Sequence, residues 1–264
     1  GVLFFKGLNL GIDFKGGTLI EVSTKNTSIS ELREILSSNY NDVSLQEFGN
    51  ENTILIRLQN KSNQESIETV NTVKTLIQDK VIEFRRSEFV GPTISSELLY
   101  RGFQAVSFAL IAILIYIWLR FEWQFGFGAV VALTHDVLFT LGLLSILNVE
   151  FSLATIAAIL TIAGYSINDT VVIFDRVREN LRKYKKMDLV ELFNLSVNNT
   201  LSRTVMTSVT TLLALLSLFI FGGEVIRPFA LTMIIGVVIG TYSSVFIAVP
   251  TLLIFKFRPQ DEDD

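Results

Sequence analysis

The sequence predicts an α-helical polytopic membrane bundle preceded by a small α+β domain of ferredoxin-like βαββαβ order. Three observations carry that reading. Half of the 264 residues are hydrophobic, too many for a soluble domain of this length. Charge is spread unevenly: residues 1–100 hold 10 Lys/Arg and 13 Asp/Glu, while much of the remainder falls into long apolar blocks. The apolar pattern also changes, from strand-like alternation before residue 90 to runs near the ~20 residues that cross a bilayer after it.

The first residue is Gly1, and Val2-Leu3-Phe4-Phe5 reads as the last turn of a hydrophobic segment. Residues 1–15 are therefore assigned to the end of a first membrane helix, otherwise missing, and a linker. The α+β domain is placed at 16–92. GGTLIEVST (16–24) reads as a strand with Ile20 and Val22 on one face. SISELREILSSN (28–39) reads as a helix with a serine cap and Leu32, Ile35 and Leu36 on one side. VSLQEF (43–48) and NTILIRL (52–58) are strands joined by a Gly49-Asn50 turn, with Ile54, Ile56 and Leu58 pointing one way. QESIETVNTVKTLIQD (64–79) is a helix striped by Ile67, Val70, Val73, Leu76 and Ile77, and KVIEFRRSEFV (80–90) is the last strand. The order βαββαβ is that of the split ferredoxin-like motif, which by itself implies no function.

Gly91-Pro92 closes the domain. A five-helix membrane domain is expected over 101–258, with spans at about 103–119, 125–147, 151–174, 205–221 and 228–255. The first and fourth are short, and the fifth is long with Pro250 near its end. An acidic tail, 259–264, follows. Loop charge sets orientation. DRVRENLRKYKKM (175–187) carries six Lys/Arg and NVEFS (148–152) none, so the 175–204 loop is assigned to the cytoplasm. Counting from it puts the C-terminus, with Lys256 and Arg258, inside and the α+β domain outside. The basic loop also reads as purely topogenic, without a partner contact. The net charge of −4 says little about partners, because local patches set them in a membrane protein. The absence of cysteine excludes disulfides and thiolate metal sites.

Asp169 stands inside the third span, FSLATIAAILTIAGYSINDTVVIF (151–174). A carboxylate there costs roughly 2.5–3.5 kcal/mol to insert, so it points to ion movement, ligand binding or helix pairing. It lies about 9 Å, at 1.5 Å per residue, inward of Asp175 and Arg176, hence in the cytoplasmic half. Arg203, at the head of the next span, projects to the same depth. One reading is a fixed ion pair that only holds the bundle together. The other is a proton relay: burial favours the neutral acid, a nearby guanidinium favours the carboxylate, and the two states are near balance. Gly164, Ser166, Asn168 and Thr170 beside Asp169 allow close helix approach and room for water. His135, the only histidine, and Asp136 sit mid-helix as a relay or as a polar pair satisfied within the bundle. Thr204, Thr207, Ser208, Thr210 and Thr211 form a polar stripe that reads as helix-packing glue. There is no Walker motif, zinc spacing or Ser/His/Asp arrangement, so a conventional enzyme is not expected.

GIDFKGGTLIEV (11–22), GYSINDTVVIFDRVRENL (164–181) and NNTLSRTVMTS (198–208) resemble the SecD/SecF family of bacterial protein-export membrane proteins, within the resistance-nodulation-division superfamily. The resemblance covers essentially the whole chain, which departs from the pattern in lacking the first of six helices. It implies that the chain pairs with SecD in a pseudo-symmetric bundle. The pair joins the Sec translocon (SecY, SecE, SecG) in the bacterial inner membrane and uses the proton gradient to help move unfolded exported polypeptides into the periplasm. It also implies a periplasmic soluble domain, protons as the coupling ion, no cofactor or metal, and lipid but no nucleic acid as surroundings. Asp169 resembles the family's proton-carrying aspartate and Arg203 its partner arginine. Asp136, His135, Asp175, Ser166 and Asn168 are relay or packing candidates. The Asp13, Gly16, Gly17 motif falls at the entry to the periplasmic domain, with either a coupling role or a tight turn before the first strand. The other function classes are a non-pumping scaffold of the translocon and half of a small-molecule efflux pump, against which the small domain argues.

Overall fold

Alternating isoleucines, valines and leucines build the sheet of the N-terminal part. The computed structural model describes residues 3, 6–25, 27–40, 43–47, 52–58 and 63–255. The Gly49-Asn50 turn, Lys256, Arg258, the acidic tail and most of the Val2–Phe5 segment lie outside them. The chain divides into two units: residues 10–104 with 151–153, and a helical unit of residues 1–9, 105–150 and 154–264.

In the first unit a short helix α1 (Ile12–Lys15) precedes strand β1 (Gly17–Thr24), helix α2 (Ile29–Ser37), strands β2 (Val43–Glu47) and β3 (Thr53–Leu58), helix α3 (Asn63–Ile77) and strand β4 (Val81–Val90). The sheet order is β2-β3-β1-β4 with every neighbouring pair antiparallel. Register sets Ile20 opposite Ile56 and Ile56 opposite Leu45. This stripe meets Leu32 and Leu36 of α2 and Val73 and Ile77 of α3 in one core. Ser28 caps α2, its hydroxyl accepting from the Glu31 amide at 3.3 Å. The stripe expected on α3 fails at Ile67, which is 66% exposed. Six residues from Val73, at 100° each, place it about 120° around the helix from the core.

The alternation predicts strands buried on one face, yet β1 is buried along almost its whole length. Its second face is covered in part by α1, where Ile12, Leu19 and Leu55 form a small cluster with Val90. Gly16 and Gly17 connect α1 to β1 at φ 71° and 106°, left-handed values that favour glycine. The Gly16 amide closes the turn on Ile12 O at 2.8 Å.

Among the described residues, five helices are long and apolar enough to cross a membrane. They fall in α4 (Pro92–Arg120), α5 (Trp123–Ile146), α6 (Leu153–Lys183), α7 (Leu189–Phe221) and α8 (Gly223–Ser243), which runs on through a π-helical turn (Ser244–Ala248) into α9 (Val249–Ile254). The first and fourth are not short. They outrun the apolar segments, α4 beginning at Pro92 and α7 at Leu189. For the same reason 175–204 is not a loop. Helix α6 continues to Lys183, and only a short turn separates it from α7. Polar, helix-favouring sequence continues past the apolar run because packing still supports it. Val177, Leu181, Leu192 and Phe193 join the bundle core, and buried Asn180 donates to Ser196 Oγ at 2.8 Å. Asp188 caps α7 by accepting from the Val190 and Glu191 amides. The π turn one residue before Pro250 accounts for the long fifth segment: Pro250 falls in the first turn of α9, where its missing N–H removes the least bonding.

Candidate functional site

Among the described residues, the helical unit buries two aspartates, with opposite surroundings. Asp136 of α5 is fully buried. Its Oδ2 accepts from Ser166 Oγ of α6 at 2.5 Å and from Ser243 Oγ of α8 at 2.7 Å. Its Oδ1 lies 3.1 Å from His135 Nδ1. A buried carboxylate persists in an apolar setting when donors surround it, and here three helices supply the scaffold. The expected His135-Asp136 pair is thus the lesser part of the arrangement. The histidine is 30% exposed, and the two serines hold the other oxygen.

Asp169 of α6 is 3% exposed, and its buried Oδ2 has no hydrogen-bond partner among the described residues. Arg203 does not form an ion pair with it. The arginine is exposed on α7. Tyr165 Oη donates to Ser208 Oγ at 3.2 Å, and Ser208 shares a 2.6 Å bond with Thr241 of α8. One helical turn nearer the α6–α7 turn, the same antiparallel register brings Thr204 to the level of Asp169. The Thr204 and Thr170 hydroxyls are buried and, like Asp169, lack partners among the described residues. The threonine stripe on α7 therefore splits. Thr204 and Ser208 face inward, while Thr207 and Thr210 bond their own backbone.

Of the residues expected to allow close helix approach, Ser166 makes it and Gly164 and Asn168 do not. Gly164 and Asn168 are exposed, and a Cβ at Gly164 meets nothing within 4 Å. The contact lies on the Ile162–Ser166 face of α6, against two glycines of α8. A Cβ at Gly236 would stand 2.1 Å from Ile162 Cδ1, and one at Gly240 3.0 Å from Ser166 Cβ. GVVIG (236–240) is a small-xxx-small motif, the sequence signal that reveals this packing. Ser243 is the residue hardest to find from sequence, since it stands 107 positions from its aspartate.

Asp175 belongs to a different feature. It pairs with Arg120 at 2.8 Å, both side chains about 40% exposed, while Arg178 donates to Arg120 O at 3.2 Å. Both arginines stand over the Phe121 ring, which packs with Phe125 and Phe174. In the first unit, Asp13 Oδ2 accepts from the Leu153 amide, the first residue of α6, at 2.9 Å, and the Gly11 amide donates to Phe151 O at 2.8 Å. The GIDFKGG segment thus supplies a helix cap and a two-glycine turn.

The family model for "Protein export membrane protein SecD/SecF, C-terminal" matches residues 69–258, and that for the "SecD/SecF GG Motif" matches 1–28. The chain belongs to the SecD/SecF family of protein-export membrane proteins. It is similar to the protein translocase subunit SecF of Rickettsia bellii, 48% identical over 252 residues that cover 94% of this chain and 83% of that one. To the SecF subunit of Rickettsia rickettsii it is 46% identical over 255 residues, 95% of this chain and 83% of that one. The crystal structure of SecDF, a translocon-associated membrane protein from Thermus thermophilus, matches with a TM-score of 0.88 at 39% identity, over 97% of this chain. A SecDF crystal structure in the super-membrane-facing form matches with a TM-score of 0.71 at 38% identity. The chain spans 36% of the length of each solved chain.

Proposed function

We propose that this chain is a proton-gradient-driven subunit of the Sec protein-export machinery, acting with SecD to complete translocation across the bacterial inner membrane. One observation carries the reading: Asp169, buried in a membrane-capable helix, with its Oδ2 bonded to nothing among the described residues. A structural carboxylate in such a place is expected to be paired, as Asp136 is. An uncommitted one is available to take and release a proton, each crossing being worth ~2.3 kcal/mol per 100 mV.

In the charged state Asp169 draws on the field of Arg203; in the neutral state that attraction is gone, and the α6–α7 contact is free to change. Arg203 stands exposed on this chain, where the SecD half of a pseudo-symmetric bundle would cover it. The six Lys/Arg of residues 175–187 favour a cytoplasmic α6–α7 turn and a cytoplasmic C-terminus. The four-stranded unit, ferredoxin-like in order, then faces the periplasm, where the emerging polypeptide is met. SecY, SecE and SecG are the translocon partners, and no enzyme chemistry or cofactor is invoked.

The test is proton-gradient-dependent export in vesicles carrying Asp169→Asn or Arg203→Leu together with SecD. Both variants are expected to assemble and to lose the gradient-stimulated part of export. Unchanged export would make Asp169 structural and leave a scaffold.

A further inference from the structure

Three helices converge on Asp136. Ser166 of α6 and Ser243 of α8 donate to the same oxygen, and all three residues are buried. Gly236 and Gly240 fit α8 closely to α6 along this line, and the π-helical turn begins immediately after Ser243. Ser166 precedes Asp169 by three residues, so the two are neighbours on the surface of α6. Any rotation of α6 that turns Asp169 toward another helix withdraws Ser166 from Asp136. That leaves a fully buried carboxylate short of a donor, an arrangement that apolar surroundings penalise.

We propose that Asp136 is a positioning residue: through Ser166 it fixes the rotation and depth of α6 against α8, and with them the direction in which Asp169 is presented. The inference rests on Asp169 being the coupling carboxylate. The two aspartates then have different work. Asp136 stays bonded and defines one seating of α6, and Asp169 responds from that seating. Ser243 anchors the same oxygen from α8, so the reference for α6 is the helix that leads into the π turn.

The test reads the environment of Asp169 directly. The full-length chain with its SecD partner, in native membranes at fixed pH, is treated with dicyclohexylcarbodiimide, and Asp169 modification is followed by mass spectrometry. Ser166→Ala, Ser243→Ala and Asp136→Asn are expected to raise the labelling rate several-fold. Thr161→Ala removes an exposed hydroxyl of α6 bonded only to its own backbone and is expected to leave the rate at the parent value. Thermal unfolding of each complex separates a turned helix from a lost fold. A rate equal to the parent's in all three variants overturns the proposal, as does a rise matched by the fraction unfolded. Labelling is read independently of transport. Faster labelling in the variants combined with gradient-independent export by the parent would refute the coupling and keep the clamp; unchanged labelling with normal coupling would refute the clamp alone.

Discussion

Asp136 and Asp169 are one residue type in one kind of surrounding, an apolar helix inside a bundle, and they are treated in opposite ways. Around Asp136 the chain places two serine hydroxyls and a histidine ring. Around Asp169 it leaves the buried Oδ2, Thr170 and Thr204 without partners among the described residues. The first arrangement is what a buried charge needs in order to be structural, and the second forgoes hydrogen bonds worth about 1 kcal/mol each. Burial alone does not distinguish the two carboxylates; their hydrogen bonding does. Membrane position alone ranks the two aspartates equally, and the count of donors separates them.

The largest effect on stability is expected at Asp136. Asp136→Leu takes away the acceptor of the Ser166 hydroxyl and leaves Ser243 only its longer bond to Gly240 O at 3.3 Å, and a loss of about 3 kcal/mol is expected in thermal unfolding of the purified complex. The glycine contact that serves the same site comes next. Gly236→Ala drives a Cβ into Ile162 and is expected to cost ~1–3 kcal/mol, recovered in part by Ile162→Ala. Gly164→Ala meets nothing and is expected to be neutral or stabilising by up to ~1 kcal/mol, by the same unfolding measurement. Asp169→Asn sharpens the contrast: with no bonds to lose at Oδ2, stability is expected to change by less than about 1 kcal/mol, while export loses its gradient dependence. The smallest effect belongs to the half-exposed Arg120–Asp175 pair. There Arg120→Ala is expected to cost ~0–1 kcal/mol, reduced further at high salt.

Much of the architecture was legible because each part obeys a simple period. A sheet with helices on one face forces alternation, so Ile20, Val22, Ile54, Ile56 and Leu58 announce their side. Hydrocarbon demands long apolar runs, so the five spanning helices announce their middles. Their ends were not legible, because hydropathy falls at the membrane surface while helical bonding continues on packing by Leu192 and Phe193 and on the Asn180–Ser196 bond. The cover that α1 lays over β1 was also hidden, since a four-residue helix has no period to read. Asp169 stands out as a lone charge in an apolar helix, whereas Asp136, beside His135, reads equally as a relay or as a satisfied polar pair. Their ranking depends on Ser243, and the role of Asp13 on Leu153, 140 positions away; no local pattern records such pairings. The sequence puts Arg203 at the height of Asp169 without saying which way it points, and it is exposed on α7. Helical spacing fixes its height, whereas its direction follows from Thr204 and Ser208 turning inward on the same helix.

The most direct measurement sets the two aspartates side by side. Asp136→Asn and Asp169→Asn, each with SecD in the same vesicles, are scored for thermal stability and for export with and without a proton gradient. The account predicts that Asp169→Asn unfolds with the parent and exports without gradient stimulation, whereas Asp136→Asn lowers the unfolding temperature and retains part of the stimulation. Full gradient stimulation in Asp169→Asn, or a loss of stimulation in it that only mirrors a loss of folded protein, would contradict the account.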